Sequence, residues 1–198
     1  MKTIRSAITS VILACSLAGL QAQEKAVEVD GVPQSTDDFI ALRDKLSVDP
    51  EGGAAVFVLA MMAYISDQDL GEQFFTIALD RSKLQPSVRG YKGFKPERSM
   101  DYFLDRLAKN PYWPTSYVEG SSPEENYKVE SPFQFTFTRN KYSEISSDRI
   151  KVFIACSGAD TPRPITLQKN NRGIWKALEY SSLFVGMRAP GKPADDDL

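Results

Sequence analysis

An aromatic and proline-rich segment is the first part of the sequence that could bind a ligand. Residues 110–117 read Asn-Pro-Tyr-Trp-Pro-Thr-Ser-Tyr. Prolines restrict the backbone, so presenting rings from this segment costs less conformational entropy than from a free loop. Tyr112, Trp113 and Tyr117 could therefore form an open platform for a sugar or a peptide. The alternative is that these rings cover the edge of the hydrophobic core, as large aromatic side chains commonly do.

A second candidate is the basic, glycine-containing segment 85–97, which we predict to be a loop between helices. The cations in and around it are Arg81, Lys83, Arg89, Lys92, Lys95 and Arg98. Glycines expose backbone N–H groups and cations add positive charge, so the segment suits a phosphate or a carboxylate. Arg89, Lys92 and Lys95 are the candidate ligand-binding residues here. The Gly-Lys-Ser/Thr sequence of a phosphate-binding loop is missing, and the alternative is a solvated connection without a ligand.

A third segment, residues 157–164, joins two predicted strands and contains Asp160 and Arg163. These two side chains could pair with each other, or Arg163 could face an anion. The alternative is an ordinary turn, because glycine, proline, serine and aspartate are the residues that turns favour.

The residue types that are missing exclude several classes of enzyme. The sequence has no histidine, so it has no Ser-His or Cys-His catalytic pair, no imidazole metal site and no histidine pH switch. The formal charge of −2 disfavours a nucleic-acid partner recruited by bulk charge. Paired carboxylates could still act as in a glycosidase, but spacing identifies no pair. We therefore predict no catalytic residue, no metal site and no cofactor.

The first 22 residues are typical of a signal peptide. Lys2 and Arg5 form a basic start, and an apolar stretch covers 7–20. Ala22 is a small residue suited to cleavage, and Ser16-Leu17-Ala18 is the alternative cleavage site. The stretch is too short and too interrupted for a stable membrane span. We expect export to the periplasm or the extracellular space, with no transmembrane span after cleavage.

The two cysteines have different predicted roles. Cys15 ends an Ile-Leu-Ala-Cys sequence that loosely resembles a lipobox, so lipidation of Cys15 is the alternative to simple cleavage. Cleavage after Ala22 leaves Cys156 without an internal disulfide partner. Cys156 follows the apolar run 152–155, which predicts a buried structural thiol. A nucleophilic role would need a base to form the thiolate, and no histidine is present to serve.

Four helices are predicted in the first half of the chain from caps and from apolar residues at helical spacing. The run 54–65 is apolar on every side, which predicts a central core helix. The fourth helix covers about 97–109. The other starts are predicted at Ser35, at Asp49-Pro50, and at Ser66 or Asp67.

The second half has the period of strands. Phe133, Phe135 and Phe137 alternate with polar residues, and 150–156 suits a central strand. Residues 165–168 and 174–180 flank a predicted hairpin turn in which Gly173 takes a positive φ.

Helices followed by strands predict an α+β fold, with about four N-terminal helices packed on a C-terminal antiparallel meander of about four strands. The final hairpin, with Gly173-Ile174-Trp175-Lys176, is similar to the last hairpin of cone-shaped NTF2-like domains, and this resemblance implies such a cone. The expected organisation is a signal peptide at 1–22, a lead-in linker at 23–34, a single domain at 35–188 and a disordered acidic tail at 189–198.

Several short segments carry a resemblance that covers roughly residues 36–190. The segments are Pro50-Glu-Gly-Gly-Ala-Ala55, Asp69-Leu-Gly-Glu-Gln73, Tyr91-Lys-Gly-Phe94, Ser116-Tyr-Val-Glu-Gly120, Pro123-Glu-Glu-Asn-Tyr127, Val152-Phe-Ile-Ala-Cys-Ser-Gly158, Arg172-Gly-Ile-Trp-Lys176 and Ser181-Ser-Leu183. Together they resemble an uncharacterised family of exported bacterial proteins catalogued only as a domain of unknown function. The resemblance implies bacterial origin and one integral domain, and it implies no activity, cofactor or catalytic residue.

The leading functional hypothesis is an exported, non-enzymatic domain that binds a ligand or an envelope partner where segment 110–123 meets segment 85–97. One alternative is a cell-wall or glycan hydrolase with paired carboxylates. Another is an accessory subunit of an envelope assembly. An open aromatic groove would favour the binding domain, and a pair of deeply buried acids would favour the hydrolase. A large exposed apolar patch would favour the accessory subunit.

Overall fold

The computed structural model describes residues 23–191. The predicted signal peptide, Cys15 and residues 192–198 of the predicted tail lie outside this range. Within it, the chain forms an α+β domain, as predicted. The similarity to an NTF2-like cone stays a prediction.

Four α-helices lie in the first half of the described chain, as the sequence predicts. They are α1 (Thr36–Leu46), α2 (Pro50–Ser66), α3 (Gln68–Ala78) and α4 (Ser99–Lys109). The Ser35 side chain accepts a hydrogen bond from the Asp38 N–H, and Asp67 accepts one from the Leu70 N–H. These bonds satisfy free N–H groups of the first turns and explain where α1 and α3 begin. Between residues 23 and 191, no helix has the length and apolar character needed to cross a bilayer.

The strands form one large sheet and one separate hairpin. In chain order they are β1 (Gln23–Val29), β2 (Leu84–Tyr91), β3 (Phe94–Pro96), β4 (Phe133–Arg139), β5 (Glu144–Ser146), β6 (Arg149–Ile154), β7 (Arg163–Lys169) and β8 (Trp175–Glu179). The large sheet has the order β1-β4-β6-β7-β8 with antiparallel neighbours, and β5 adds to β6. Within residues 23–191, β2 and β3 pair only with each other. The predicted meander is therefore confirmed as β4-β6-β7-β8, and it carries additional strands.

The turn between β7 and β8 confirms the predicted hairpin. Lys169 pairs with Trp175 across it, and Gly173 has φ of +78°. A positive φ is strained for residues with a side chain and free of that strain for glycine, which is why the chain can reverse here.

Two predictions about connecting segments were wrong. Residues 23–34 were expected to be a linker, but 23–29 form β1, which pairs with β4 along its whole length and buries Val27 and Val29. Residues 85–97 were expected to be a loop, but they contain most of the β2–β3 hairpin. Lys92 and Gly93 both have positive φ, which is typical of a tight type I′ hairpin turn.

The core is built around α2. Every residue from Pro50 to Ala63 is buried, and α2 contacts α1, α3 and α4 as well as β1, β6, β7 and β8. The Phe57 ring packs 5.3 Å from that of Phe75 on α3 and 4.9 Å from that of Tyr180. The predicted central core helix is confirmed.

Two glycines let other elements approach α2 closely. A Cβ atom at Gly71 of α3 would lie 2.2 Å from the Tyr64 Cα atom on α2. A Cβ atom at Gly53 of α2 would lie 2.8 Å from the Trp175 carbonyl oxygen on β8. Both distances are too short for a side chain, so the spacing of α2 from α3 and from the sheet depends on glycine.

A buried carboxylate at the start of α2 joins the helix to the sheet. The Glu51 side chain is 2% exposed and accepts two hydrogen bonds from Arg139 on β4, through Nε and through Nη2, the latter at 2.7 Å. Lys25 of β1 lies 3.8 Å from Glu51 and 3.0 Å from Asp49. The two-pronged contact with an arginine is the geometry that makes a buried carboxylate tolerable.

Replacing Arg139 by methionine should destabilise the domain strongly. Arg139→Met removes both hydrogen bonds to the buried Glu51 carboxylate and leaves only Lys25, 3.8 Å away, as a cationic neighbour, which costs about 3–5 kcal/mol of unfolding free energy. Urea unfolding measures the loss. Arg149→Met, at an exposed arginine on β6, is the matched control and should change stability by about 0.5 kcal/mol or less. Adding Glu51→Gln to Arg139→Met should recover part of the loss, and equal stability of wild type and Arg139→Met would contradict this account.

Replacing Gly71 by alanine should separate α3 from α2. The new Cβ atom meets the Tyr64 backbone, so we expect Gly71→Ala to cost about 1–3 kcal/mol despite the better helix propensity of alanine. Gly191→Ala is the control, because a Cβ atom there meets nothing within 4 Å. Thermal or urea unfolding of both variants tests the prediction, and a stabilised Gly71→Ala protein would overturn it.

Candidate functional site

The rings of the aromatic segment lie mainly in the core. Trp113 is 4% exposed and Tyr117 is 1% exposed. The Tyr117 hydroxyl donates a hydrogen bond to the Leu183 carbonyl at 3.0 Å, and burial raises the pKa of Tyr117 well above its ordinary value. Tyr112 is half-buried, and its ring stacks on that of Tyr127 at 5.3 Å. The prediction of an open platform was therefore wrong for Trp113 and Tyr117, and the alternative of rings that cover the core describes them.

Cys156 is at the edge of the core instead of inside it. The strand β6 ends at Ile154, two residues before Cys156, and the Cys156 side chain is half-buried. Its Sγ atom lies 3.4 Å from the Ser116 Oγ atom, and both line a shallow depression of about 260 Å³. The sequence predicted a buried structural thiol; Cys156 packs against the core but is only partly buried, and β6 ends two residues before the end of the predicted strand.

The segment 157–164 does not form the predicted internal pair. Asp160 lies 3.0 Å from the Arg188 guanidinium. Arg163 instead donates a hydrogen bond to the Gly186 carbonyl at 2.8 Å. Both contacts tie the turn to the C-terminal segment, so they have a structural explanation without a ligand.

The β2–β3 hairpin packs on α3 and forms two neighbouring clefts, whose walls share Tyr91 and Thr76. The first, here called the α3 cleft, has a volume of about 600 Å³. The hairpin side carries Arg89 and Lys95, and the helix side carries the acids Asp69 and Glu72. Charges of both signs therefore face this cleft in equal number.

The second cleft, here called the lysine cleft, has a different charge balance. Its volume is about 470 Å³. Ile40, Ile77, Leu84 and Phe94 provide apolar surface. Its charged residues come from four separate elements. α1 provides Arg43 and Asp44, the hairpin turn provides Lys92, the β7–β8 turn provides Arg172, and β8 provides Lys176. The one acid, Asp44, is already 2.7 Å from its neighbour Arg43, so positive charge dominates.

Lys176 is the most unusual residue of the lysine cleft. It is 9% exposed, and its amine donates a hydrogen bond to the Ile77 carbonyl near the end of α3. Among residues 23–191, no carboxylate lies within 4.0 Å of this amine. Burial, the largest cause, together with the Arg43 charge lowers the pKa of Lys176 from 10.5 to about 7. The neutral amine is therefore much more populated at neutral pH than it is for an exposed lysine.

The structure does not bring the six site residues predicted from the sequence together in one site. Arg89 and Lys95 line the α3 cleft and Lys92 lines the lysine cleft. Neither cleft includes a residue of segment 110–123, so the predicted meeting of the two segments does not form either of them.

Sequence reasoning missed Arg43, Arg172 and Lys176. A lysine between Trp175 and Ala177 in a strand is typical of a solvent-facing position, and nothing in the local pattern indicates that the end of α3 covers it. In the described part of the chain, no three histidine, cysteine, aspartate or glutamate side chains cluster in a way that could hold a metal ion.

Comparison with known families identifies the chain. A domain of unknown function, DUF6935, matches residues 31–191. The chain belongs to this family. The match confirms the resemblance to an uncharacterised family that the sequence segments carry. Searches of curated proteins and of solved structures give no match to this DUF6935 domain.

Trp113 provides a direct test of how the DUF6935 domain uses its aromatic segment. Trp113→Ala should cost about 3–5 kcal/mol of unfolding free energy, because it empties a large volume in the core. Tyr142→Ala, at a ring that is 72% exposed, is the control and should have little effect. Urea unfolding compares the two, and a Trp113→Ala protein as stable as wild type would restore the platform interpretation.

Proposed function

We propose that this domain binds a small anionic ligand with an apolar part in the lysine cleft. The observation that carries the proposal is that three cations, Arg43, Lys92 and Arg172, converge on one cleft from three separate elements. Cations on a surface normally spread out, since each repels the others. Their convergence around a concave space concentrates positive potential where an anion would sit.

The chemistry of the lining supports a ligand with two different ends. The two guanidinium groups can each donate paired hydrogen bonds to a carboxylate or a phosphate. The apolar surface of Ile40, Ile77 and Phe94 suits a hydrocarbon or aromatic group. A volume of about 470 Å³ is within the range of small-molecule sites. A simple inorganic anion would leave the apolar part of the cleft unused.

The hydrolase alternative has weaker support. A carboxylate pair for glycoside cleavage needs one acid that is buried enough to stay protonated. In residues 23–191 the buried carboxylate is Glu51, and Arg139 holds both of its oxygens. In the α3 cleft, Asp69 is exposed and Glu72 is half-buried. A binding function therefore accounts for more of the structure, and with the predicted signal peptide it would operate outside the cytoplasm.

Calorimetric titration with matched small molecules tests the proposal. Phenyl phosphate and benzoate carry an anion and a ring, and benzyl alcohol carries the ring alone. We expect the two anions to bind and benzyl alcohol to bind at least about tenfold more weakly, because it lacks charge-assisted hydrogen bonds.

Variants locate the binding. Arg172→Gln removes a cation from the rim of the cleft and should weaken binding of phenyl phosphate by about tenfold or more. Arg149→Gln is the matched control, since Arg149 is exposed on β6 and does not line the cleft. Equal affinity of both variants and wild type, or equal binding of benzyl alcohol and the anions, would exclude the lysine cleft as the site.

A further inference from the structure

Lys176 has features that anion binding alone does not require. An exposed lysine would supply the same charge at the rim, as Lys92 already does. Lys176 is instead more than nine-tenths buried, and its hydrogen-bond partner is the Ile77 backbone carbonyl, which carries no net charge. Burying an ammonium group without a carboxylate is costly, so the surroundings favour the neutral amine with a free lone pair.

Building on the anion site described above, we propose that Lys176 is a nucleophile that forms an imine with an aldehyde or ketone group of the ligand. The anionic end of the ligand would be held by Arg43, Lys92 and Arg172, and the carbonyl carbon would face the Lys176 amine. A desolvated lysine beside other cations is the arrangement in which lysine acts as a nucleophile.

The step balances without an oxidant or a reductant. The lone pair of the Lys176 nitrogen attacks the carbonyl carbon, and a C–N bond forms as the C=O double bond opens to a hydroxyl group. The nitrogen loses two protons in total and the carbonyl oxygen leaves as water. The product is a C=N bond between Lys176 and the ligand, and hydrolysis returns both partners unchanged.

The charged groups around Lys176 act in opposite directions. Arg43 of α1 and Arg172 of the β7–β8 turn disfavour the ammonium form, whereas Asp44 of α1 and Asp80, just after α3, favour it. Lys92 adds a further cation from the hairpin turn. At pH 7 the neutral fraction of Lys176 should be roughly a thousandfold larger than that of an exposed lysine.

Reductive trapping tests the proposal with 4-formylbenzoate, which combines an aldehyde, a ring and a carboxylate. The full-length protein is incubated with this probe and cyanoborohydride at neutral pH, which converts an imine to a stable secondary amine. Peptide mass mapping then locates the adduct. We expect modification of Lys176 to be saturable and at least about tenfold faster than that of exposed Lys128.

Two variants serve as controls. Lys176→Met should abolish the adduct in the cleft. Lys92→Met removes a lysine from the same cleft and should slow the reaction while leaving the adduct on Lys176. Adduct on Lys92, or equal modification of all exposed lysines, would overturn the proposal. The wild-type peptide map reports the modified residue even when a variant does not fold.

Failure of the imine step can be distinguished from failure of the anion site. The alcohol 4-(hydroxymethyl)benzoate has the same shape and charge but cannot form an imine. If it binds and 4-formylbenzoate leaves Lys176 unmodified, the anion site stands and the nucleophile is excluded. If neither binds and Lys176 is unmodified, both proposals fail.

The pH dependence of stability provides an independent readout. The pKa of Lys176 is lower in the folded than in the unfolded chain, so the unfolded chain binds more protons above about pH 7. The free energy of unfolding should therefore rise from about pH 7 to about pH 9, below the titration of the buried tyrosines, and Lys176→Met should flatten this rise. An identical slope in both proteins would show that Lys176 keeps its proton and would contradict the proposal.

Discussion

The burial of α2 on every side is the constraint on which the rest of the structure depends. A helix without a polar face must be covered completely, because each exposed apolar residue forfeits burial free energy. The other three helices and the sheet do this together, and their distances from α2 follow from the sizes of the residues at each contact. At Gly53 and Gly71 even a methyl group is too large. The β2–β3 hairpin is not one of the main elements that cover α2. It packs on α3 instead.

Two ionisable side chains, Glu51 and Lys176, are buried, and they differ in what satisfies them. Glu51 is buried beside α2, and an arginine satisfies both of its oxygens, so this charge stabilises the join between helix and sheet. Lys176 is also buried, and among the described residues its one hydrogen-bond partner is a backbone carbonyl. A domain that only needed stability would gain by replacing this lysine with an apolar residue of similar size. That contrast is the physical reason to look for chemistry at Lys176 and not at Glu51.

The sequence correctly predicted those helices, strands and turns that are determined by residues close together in the chain. Caps at Ser35 and Asp67, the phenylalanine alternation in β4 and the positive φ at Gly173 all depend on residues within one turn or one strand. β1 was missed because an isolated strand with two buried valines has a weak pattern until β4 lies beside it. The prediction of an open aromatic platform at residues 110–117 was wrong for a related reason. Its prolines indicate a restricted backbone, but whether Trp113 points into solvent or into the core depends on what packs above it.

The lysine cleft could not be predicted from any one segment because its walls meet only through the tertiary fold. Lys92 was identified from its glycine-containing surroundings, whereas Arg43 and Lys176 have helix and strand neighbours that explain them without a ligand. Their convergence follows from three separate contacts: α1 packs on α2 and α3, the hairpin packs on α3, and Leu79 after α3 bridges to Ala177 of β8. That bridge brings the end of α3, with the Ile77 carbonyl, over the neighbouring residue Lys176. The Leu79–Ala177 bridge therefore also buries the Lys176 amine. The lowered pKa of Lys176 is thus a consequence of how α3 packs against the edge of the sheet.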